Sequence, residues 1–317
     1  MKHLCKMLIG STLCLLSSQI MAKGDAGHNN DYRSYHTNGT IDYGHIDDSY
    51  KADLVMYLAG NQFMVMSDLI KDFQHKHKAI ETVYVETIPP GQILKKQLLK
   101  QGKINKQDTS MTPDLYASVN LKHLKKLKAK KAMSQYIIYT HNKLALMVAQ
   151  GNPKNINGPK DLARDDLLQS HPNPLTEGIF KFYGSQMLKD LNIYQKVTAD
   201  KQCKSCWAIA GKTWFTSRHH RETPYRIEQG QADVGIVWTT EVLHAKKEGR
   251  KIDGVSISAP YNKQDKVSYA IGMLNQAKNK DNAQIFLNYL ATDDAQNIYK
   301  SYGFIPASKT ELAAKAL

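Results

Sequence analysis

The fold is indicated first by residues 230–241, which read Gly-Gln-Ala-Asp-Val-Gly-Ile-Val-Trp-Thr-Thr-Glu. A polar turn leads into Val234, Ile236 and Val237, which favour a buried strand, and the two threonines can cap a helix that starts near Glu241. Ligands of open α/β sheets bind just outside the carboxyl ends of the strands. The segment from Trp238 to Glu241 is therefore predicted to line a cleft, with Trp238 and Thr239 as ligand contacts.

The bulk composition allows two lobes, because 42% of the 317 residues are hydrophobic. Residues 1–22 carry Lys2 and Lys6, then an apolar run, and end at Ala22. This pattern predicts a signal peptide that is cleaved after Ala22, and the apolar run is too short to span a bilayer. Its removal lowers the formal net charge from +14 to +12, so the mature protein stays basic.

The lysines are spread over helix-like stretches such as 122–131 and lack the interleaved aromatic residues of a stacking platform. This arrangement argues against nucleic-acid binding. We interpret the lysines as a solvated face, and the alternative is attraction to an acidic envelope surface or an anionic ligand.

Cleavage of the signal peptide leaves Cys203 and Cys206 as the only cysteines, in an oxidising compartment. A disulfide between them is predicted. One alternative is a zinc site completed by His219 and His220, and another is a secreted redox protein built on the cysteine pair.

Residues 23–50 show no apolar period and are predicted to form a flexible N-terminal extension. From residue 53 the pattern is βαβαβα with short turns, which predicts a parallel, doubly wound sheet. Three loops then share one edge of this sheet. They place four candidate ligand contacts there: Asn61, Gln62, Gly91 and Ser118.

A second lobe is predicted over 137–258, with a surface insertion at 192–213, while 51–136 plus 259–317 form the first lobe. Residues 173–178 open a helix in the second lobe, where backbone N–H groups can hold an anion. Thr176, Glu177 and Gly178 are therefore candidate contacts, and ordinary capping of the helix is the alternative.

Several catalytic motifs are missing from the sequence. Gly211-Lys212-Thr213 resembles the end of a P-loop, but Cys206 stands where its first glycine is required. The chain has neither a Gly-x-Ser-x-Gly elbow nor a His-Glu-x-x-His helix. Neither a serine hydrolase nor a zincin is therefore supported, and we predict no cofactor. Arg221 is a candidate anion fork.

Four segments together resemble the periplasmic substrate-binding proteins of ABC transporters, specifically the type II fold of the molybdate-binding family: 113–118, 151–153, 230–237 and 302–307. The resemblance implies a binding protein, not an enzyme, with two doubly wound α/β lobes and a hinge between them. It further implies a periplasmic monomer that delivers its ligand to a membrane permease. It also implies that Tyr269 lies by the ligand.

The leading hypothesis is capture of an oxyanion such as molybdate or tungstate by lobe closure. Glu177 and Glu241 complicate it, because a carboxylate that faces the cleft repels a dianion. The alternative for Glu241 is that it caps its own helix, which would leave an anion site in the cleft. The first alternative keeps the fold and binds a metal ion, a metal chelate or a zwitterion through His219, His220, Glu222 or Glu241. The remote alternative is the redox protein.

Overall fold

The structure is a computed structural model that describes residues 31–44, 51–99, 103–104, 107–108, 113–217 and 222–316. The predicted signal peptide and the candidate residues His219, His220 and Arg221 lie outside these ranges. Among the described residues, no helix is long and apolar enough to cross a membrane.

The first lobe is built on a large mixed sheet with three parallel strands at its centre. Its order is β16-β8-β15-β7-β3-β4-β1-β2, and β17 also pairs with β8. The strands are β1 Tyr32–His36, β2 Ile41–Tyr43, β3 Leu54–Ala59, β4 Thr82–Ile88, β7 Leu115–Ser118, β8 Gln135–His141, β15 Ser268–Met273, β16 Ile305–Pro306 and β17 Lys315–Ala316. Between β4 and β7 lie two short paired strands, β5 Lys103–Ile104 and β6 Gln107–Asp108.

Helices cover both faces of this sheet. One face carries α1 Phe63–Lys76, α8 Lys280–Leu290 and α9 Asp293–Ser301, and the rings of Phe73 and Phe286 meet edge to face there. The other face carries α2 Pro90–Gln92, its π-helical continuation Ile93–Leu98, and α3 Leu121–Ala129. The longer helices α1, α3 and α8 each bury an apolar stripe. The prediction of a doubly wound sheet is confirmed for the parallel core.

The second lobe is a six-stranded sheet in the order β11-β12-β10-β13-β9-β14. Its strands are β9 Leu144–Ala149, β10 Gln169–His171, β11 Cys206–Ile209, β12 Thr213–Phe215, β13 Val234–Trp238 and β14 Ile252–Ser256. Its helices are α4 Ser185–Asp190, which continues a π-helical segment Ile179–Gly184, α5 Tyr194–Thr198, α6 Glu222–Glu228 and α7 Thr239–Lys247. The last short helix, α10 Lys309–Leu312, belongs to the first lobe. The predicted strand in 230–241 is β13, fully buried at the middle of the sheet.

The chain crosses between the lobes twice, at Asn142–Lys143 and over residues 257–267. The crossings touch each other, because Leu144 N donates to the carbonyl oxygen of Asn262 over 2.9 Å. The predicted boundary at residue 137 is wrong by about one strand. Residues 137–141 belong to β8, whose pairing with β15 fixes it in the first sheet.

The predicted flexible extension is also wrong for its described part. Residues Tyr32–His36 form β1, which pairs antiparallel with β4 along its whole length. Its side chains are buried from Tyr32 to Tyr35, so this segment completes the first sheet. The polar and aromatic composition of the segment hid the strand, because long-range pairing, not local alternation, stabilises it.

The cysteine prediction is confirmed, since Cys203 and Cys206 form a disulfide with a Cα–Cα distance of 6.1 Å. The predicted surface insertion at 192–213, however, is wrong. It supplies α5 and the edge strand β11 to the second lobe, and it buries Val197 and Ala208. These apolar side chains join the lobe's core and hold the segment against the sheet.

Candidate functional site

A cleft lies between the two lobes at the carboxyl ends of β3, β4, β7 and β13. It encloses about 40 Å³, which suits an ion or a small polar group better than a large organic molecule. Both lobes contribute to its lining: Ala59, Gly60, Asn61, Thr87, Pro89, Pro90 and Val119 from the first, and Glu177, Gly178, Ile179 and Trp238 from the second.

Asn61 is the main polar side chain on the first-lobe wall. It sits in a 3₁₀ turn, Gly60–Gln62, which connects β3 to α1. Its Nδ2 donates to the hydroxyl oxygen of Tyr269 over 2.6 Å, and Asn142 Nδ2 donates to the same oxygen over 3.3 Å. Because an amide carries two N–H donors, Asn61 keeps one for a ligand. Tyr269 therefore positions Asn61 from behind the wall.

Glu177 is the charged side chain on the second-lobe wall. It is buried, and its Oε1 accepts a hydrogen bond from Asn173 N and another from the hydroxyl of Thr216, each 3.0 Å long. These bonds close the turn that precedes the helical segment 179–190. The carboxylate is thus directed back onto its own loop by donors that stabilise its negative charge.

Glu241 has the same arrangement at the start of α7. Its Oε2 accepts a hydrogen bond from Trp238 N over 3.0 Å, three residues before it. This contact satisfies a backbone N–H at the beginning of the helix. Of the two roles considered for Glu241, capping of its own helix is the one the structure has, and Glu241 is not part of the cleft lining.

Tyr183 connects the two lobes at the cleft. Its hydroxyl donates to the carbonyl oxygen of Val119 over 2.7 Å, and its ring stacks edge to face on Trp238 with centroids 5.6 Å apart. Val119 belongs to the first lobe, while Tyr183 and Trp238 belong to the second. The lobes are therefore held together directly across the cleft mouth.

His123 lies behind the first-lobe wall, with Nδ1 at 2.9 Å from the hydroxyl of Ser118. Burial, together with the positive charges of Lys126, Lys95 and Lys181, lowers the pKa of His123 to about 4. The imidazole is therefore neutral at physiological pH, in a surrounding of positive potential.

The structure brings together only some of the predicted contacts. Asn61, Glu177, Gly178 and Trp238 line the cleft. Gln62 instead accepts a hydrogen bond from the hydroxyl of Tyr299, and Gly91 packs next to His123.

Ser118, Thr176, Thr239 and Tyr269 also lie outside the lining. Ser118 is occupied with His123, and Thr239 donates to the carbonyl oxygen of Lys143 in the first crossing. Thr176 precedes the lining residue Glu177, and its hydroxyl oxygen is buried without a hydrogen-bond partner.

The alternative of metal binding has no assembled site in the described part of the chain. No group of three or more His, Cys, Asp or Glu side chains there could hold a metal ion. Glu222 accepts hydrogen bonds from the backbone N–H and the hydroxyl of Ser217. Glu241 instead contacts the backbone N–H of Trp238.

Seven lining residues were missed by sequence reasoning: Ala59, Gly60, Thr87, Pro89, Pro90, Val119 and Ile179. Six of them lie within one or two residues of a predicted contact. Thr87 lies inside β4, and nothing in its composition separates it from a core threonine.

Comparison with known proteins identifies the family. The sequence profile described as bacterial extracellular solute-binding protein matches residues 54–305. The chain belongs to this family. It is 24% identical over 267 residues to the putative ABC transporter substrate-binding lipoprotein YvgL of Bacillus subtilis, across 81% of this chain and 88% of that protein.

Solved structures of the same fold support the assignment. The periplasmic molybdate-binding protein of Azotobacter vinelandii matches with a TM-score of 0.63 and 18% identity, over 80% of this chain and all of that one. The sulfate-binding protein SubI of Mycobacterium tuberculosis matches with a TM-score of 0.58 and 17% identity, over 81% of this chain and 88% of that one. The predicted type II binding-protein fold is thus confirmed, and the family consists of binding proteins, not enzymes.

Proposed function

We propose that this solute-binding protein captures a small oxyanion, such as molybdate or tungstate, between its lobes. The observation that carries the proposal is the position of Asn61, buried in the wall at the start of α1. Backbone N–H groups in the first turn of a helix have no partners within the helix, and the helix dipole favours an anion there. The small volume of the cleft supports the same class of ligand.

The electrostatics of the walls are compatible with this ligand. The first-lobe wall has no ionisable side chain in its lining, so neutral donors face the ligand. On the second wall, the negative charge of Glu177 is shared with the donors Asn173 N and Thr216 Oγ1. Hydrogen bonding of this kind reduces the repulsion that an anion experiences but does not remove it.

The biological setting follows from the family. The protein is proposed to act in the periplasm and to hand its ligand to the permease of an ABC transporter. The relative YvgL is named as a component of such a transporter, and two structural neighbours are named for molybdate and sulfate.

Isothermal titration calorimetry with molybdate, tungstate and sulfate tests the ligand class. The protein should be stripped of bound ligand by partial unfolding and dialysis before titration. We expect equimolar binding of at least one of the three ions. If none of them produces heat of binding, the oxyanion assignment is wrong.

A zwitterionic or cationic ligand is the second candidate. It is favoured by one observation, the carboxylate of Glu177 in the cleft wall. A positively charged group on the ligand would be attracted to this carboxylate, so the first-lobe wall would not need to supply a charged side chain. Calorimetry with a series of amino acids and quaternary amines, on the same stripped protein, distinguishes this candidate from the first.

A further inference from the structure

The charge of this chain is concentrated in one segment. Residues 90–132 contain eleven lysines, two aspartates, and neither arginine nor glutamate, a formal net charge of +9 out of +14 for the whole chain. Ligand binding in the cleft does not require such an accumulation, because no lysine belongs to the cleft lining.

Eight lysines of this segment lie on, or directly after, the helices that cover one face of the first sheet, and all eight are exposed. We call them the lysine face: Lys95, Lys96, Lys122, Lys125, Lys126, Lys128, Lys130 and Lys131. The two helices touch each other, since Gly91 lies against the ring of His123. Their apolar residues, such as Leu94, Leu124 and Leu127, point inward and are buried.

The lysine face has no ion pair within the described part of the chain. Elsewhere lysines are paired with aspartates, for example Lys76 with Asp72 and Lys246 with Asp253. Of the two aspartates of the segment, Asp114 is buried and accepts from Val55 N and Asn279. No side chain that the structure describes therefore neutralises the positive charge of the face.

The composition of the face indicates the kind of partner. It has no arginine, whose planar fork recognises individual phosphates, and no exposed aromatic residue on which a base could stack. Both absences argue against nucleic acid as the partner. Many separate ammonium groups on a broad surface suit a diffuse layer of anionic headgroups.

We propose that the lysine face adsorbs the protein to a bilayer that contains anionic phospholipid. Because the apolar side of α3 is committed to the protein core, adsorption is electrostatic, without insertion into the bilayer. Val119 of the cleft immediately precedes α3, with Asn120 as the helix cap, so the cleft mouth lies at the border of the adsorbed surface.

Vesicle co-sedimentation tests this proposal without any ligand for the cleft. Purified full-length protein is mixed with vesicles of phosphatidylcholine alone or of equal parts phosphatidylcholine and phosphatidylglycerol. We expect binding to the second kind only, reversed by raised salt as surface charges are screened. Absence of binding to the anionic vesicles at low salt would overturn the proposal.

Two variants with the same change in net charge locate the surface. The first replaces four lysines of α3 by glutamine (K122Q, K125Q, K126Q and K128Q), and the second replaces four exposed lysines outside the face (K71Q, K78Q, K280Q and K300Q). We expect the first variant to lose roughly a hundredfold in partitioning to anionic vesicles and the second to lose roughly tenfold or less.

Equal losses in the two variants would show that net charge, not the lysine face, drives adsorption, and would contradict the proposal. A single-stranded oligonucleotide added as a competitor checks the rejected partner. Displacement at an equal concentration of negative charge would favour nucleic acid instead. Oxyanion binding measured on the same variants should be unchanged, so failure here is distinct from failure of the proposed function.

Discussion

The two walls of the cleft are built in different ways. The first-lobe wall is neutral in its lining, is supported from behind by the hydrogen bond of Asn61 to Tyr269, and lies near the lysine face. The second-lobe wall carries a buried carboxylate, Glu177, whose hydrogen bonds hold its own loop together. Glu241 repeats this arrangement one strand away.

This difference suggests separate roles: the first-lobe wall attracts the ligand, and the hydrogen bonds of the second-lobe wall maintain its own structure. Asn61 and the first turn of α1 belong to the first lobe, so we assign anion recognition mainly to it. In the second lobe, the carboxylates of Glu177 and Glu241 accept hydrogen bonds from backbone N–H groups near the start of a helix, where no backbone acceptor is available. Substitutions on the two sides should therefore affect different quantities.

The largest effect is expected for Glu177→Ala. The substitution leaves Asn173 N and the hydroxyl of Thr216 without their acceptor in a buried loop. We expect a loss of about 3 kcal/mol in the free energy of unfolding, because unsatisfied buried donors retain their desolvation cost. Urea unfolding curves measure this change.

Glu177→Gln is the matched control, because its amide oxygen can still accept while the charge is gone. We expect it to lose about 1 kcal/mol of stability at most, and to bind oxyanions several-fold more tightly as repulsion is removed. Weaker oxyanion binding by the Gln variant would mean that the charge of Glu177 serves the ligand, and would break the proposed division of roles.

A smaller effect concerns His123 behind the first wall. Its pKa is about 4 in the folded protein, while an unfolded chain has a value of about 6.5. As the pH falls from 7 to 5, the unfolded state takes up a proton that the folded state does not. Stability should therefore fall by about 2 kcal/mol from this group alone.

The measurement compares wild type with His123→Asn, which can retain a hydrogen bond to Ser118. Glu86 acts in the opposite direction, because burial raises its pKa to about 8 and its contribution to stability grows as the pH falls. Taking the difference between the two proteins at each pH cancels Glu86. Parallel stability curves for the two proteins would contradict the burial of a neutral His123.

The smallest stability effect is expected for Asn61→Ala, at about 1 kcal/mol for the lost hydrogen bond to Tyr269. Its oxyanion affinity should drop roughly tenfold. Gln62→Ala is the control: Gln62 is equally buried but bonds to Tyr299, outside the lining. If both variants lose oxyanion affinity equally, the loss comes from a general loosening of the cleft wall, and Asn61 is not a ligand contact.

Most of the fold was predictable because local patterns and pairing agree. Strand β9 begins and ends where its apolar run does, and α3 starts directly after its cap Asn120. The failures at β1 and β8 have a common cause. Each strand is placed by partners far along the chain, β4 and β15, which a local pattern does not contain.

The sequence predicted the loops that form the site, but only some of the residues that line it. In two loops the lining shifts by one position, from Ser118 to Val119 and from Gly91 to Pro90. At the end of β7 successive residues point to opposite sides, so an error of one residue there exchanges the cleft for the interior. The orientation of Glu241 depended likewise on a contact with the backbone of Trp238 that residue type alone does not determine.

Native mass spectrometry of freshly purified protein is the most direct test of whether the cleft binds a small oxyanion, because it weighs whatever the closed cleft retains. We expect an adduct with the mass of a single small oxyanion, which is absent after stripping and returns when the ion that binds in calorimetry is added. An adduct with the mass of an amine-containing molecule or of a metal cation would contradict it.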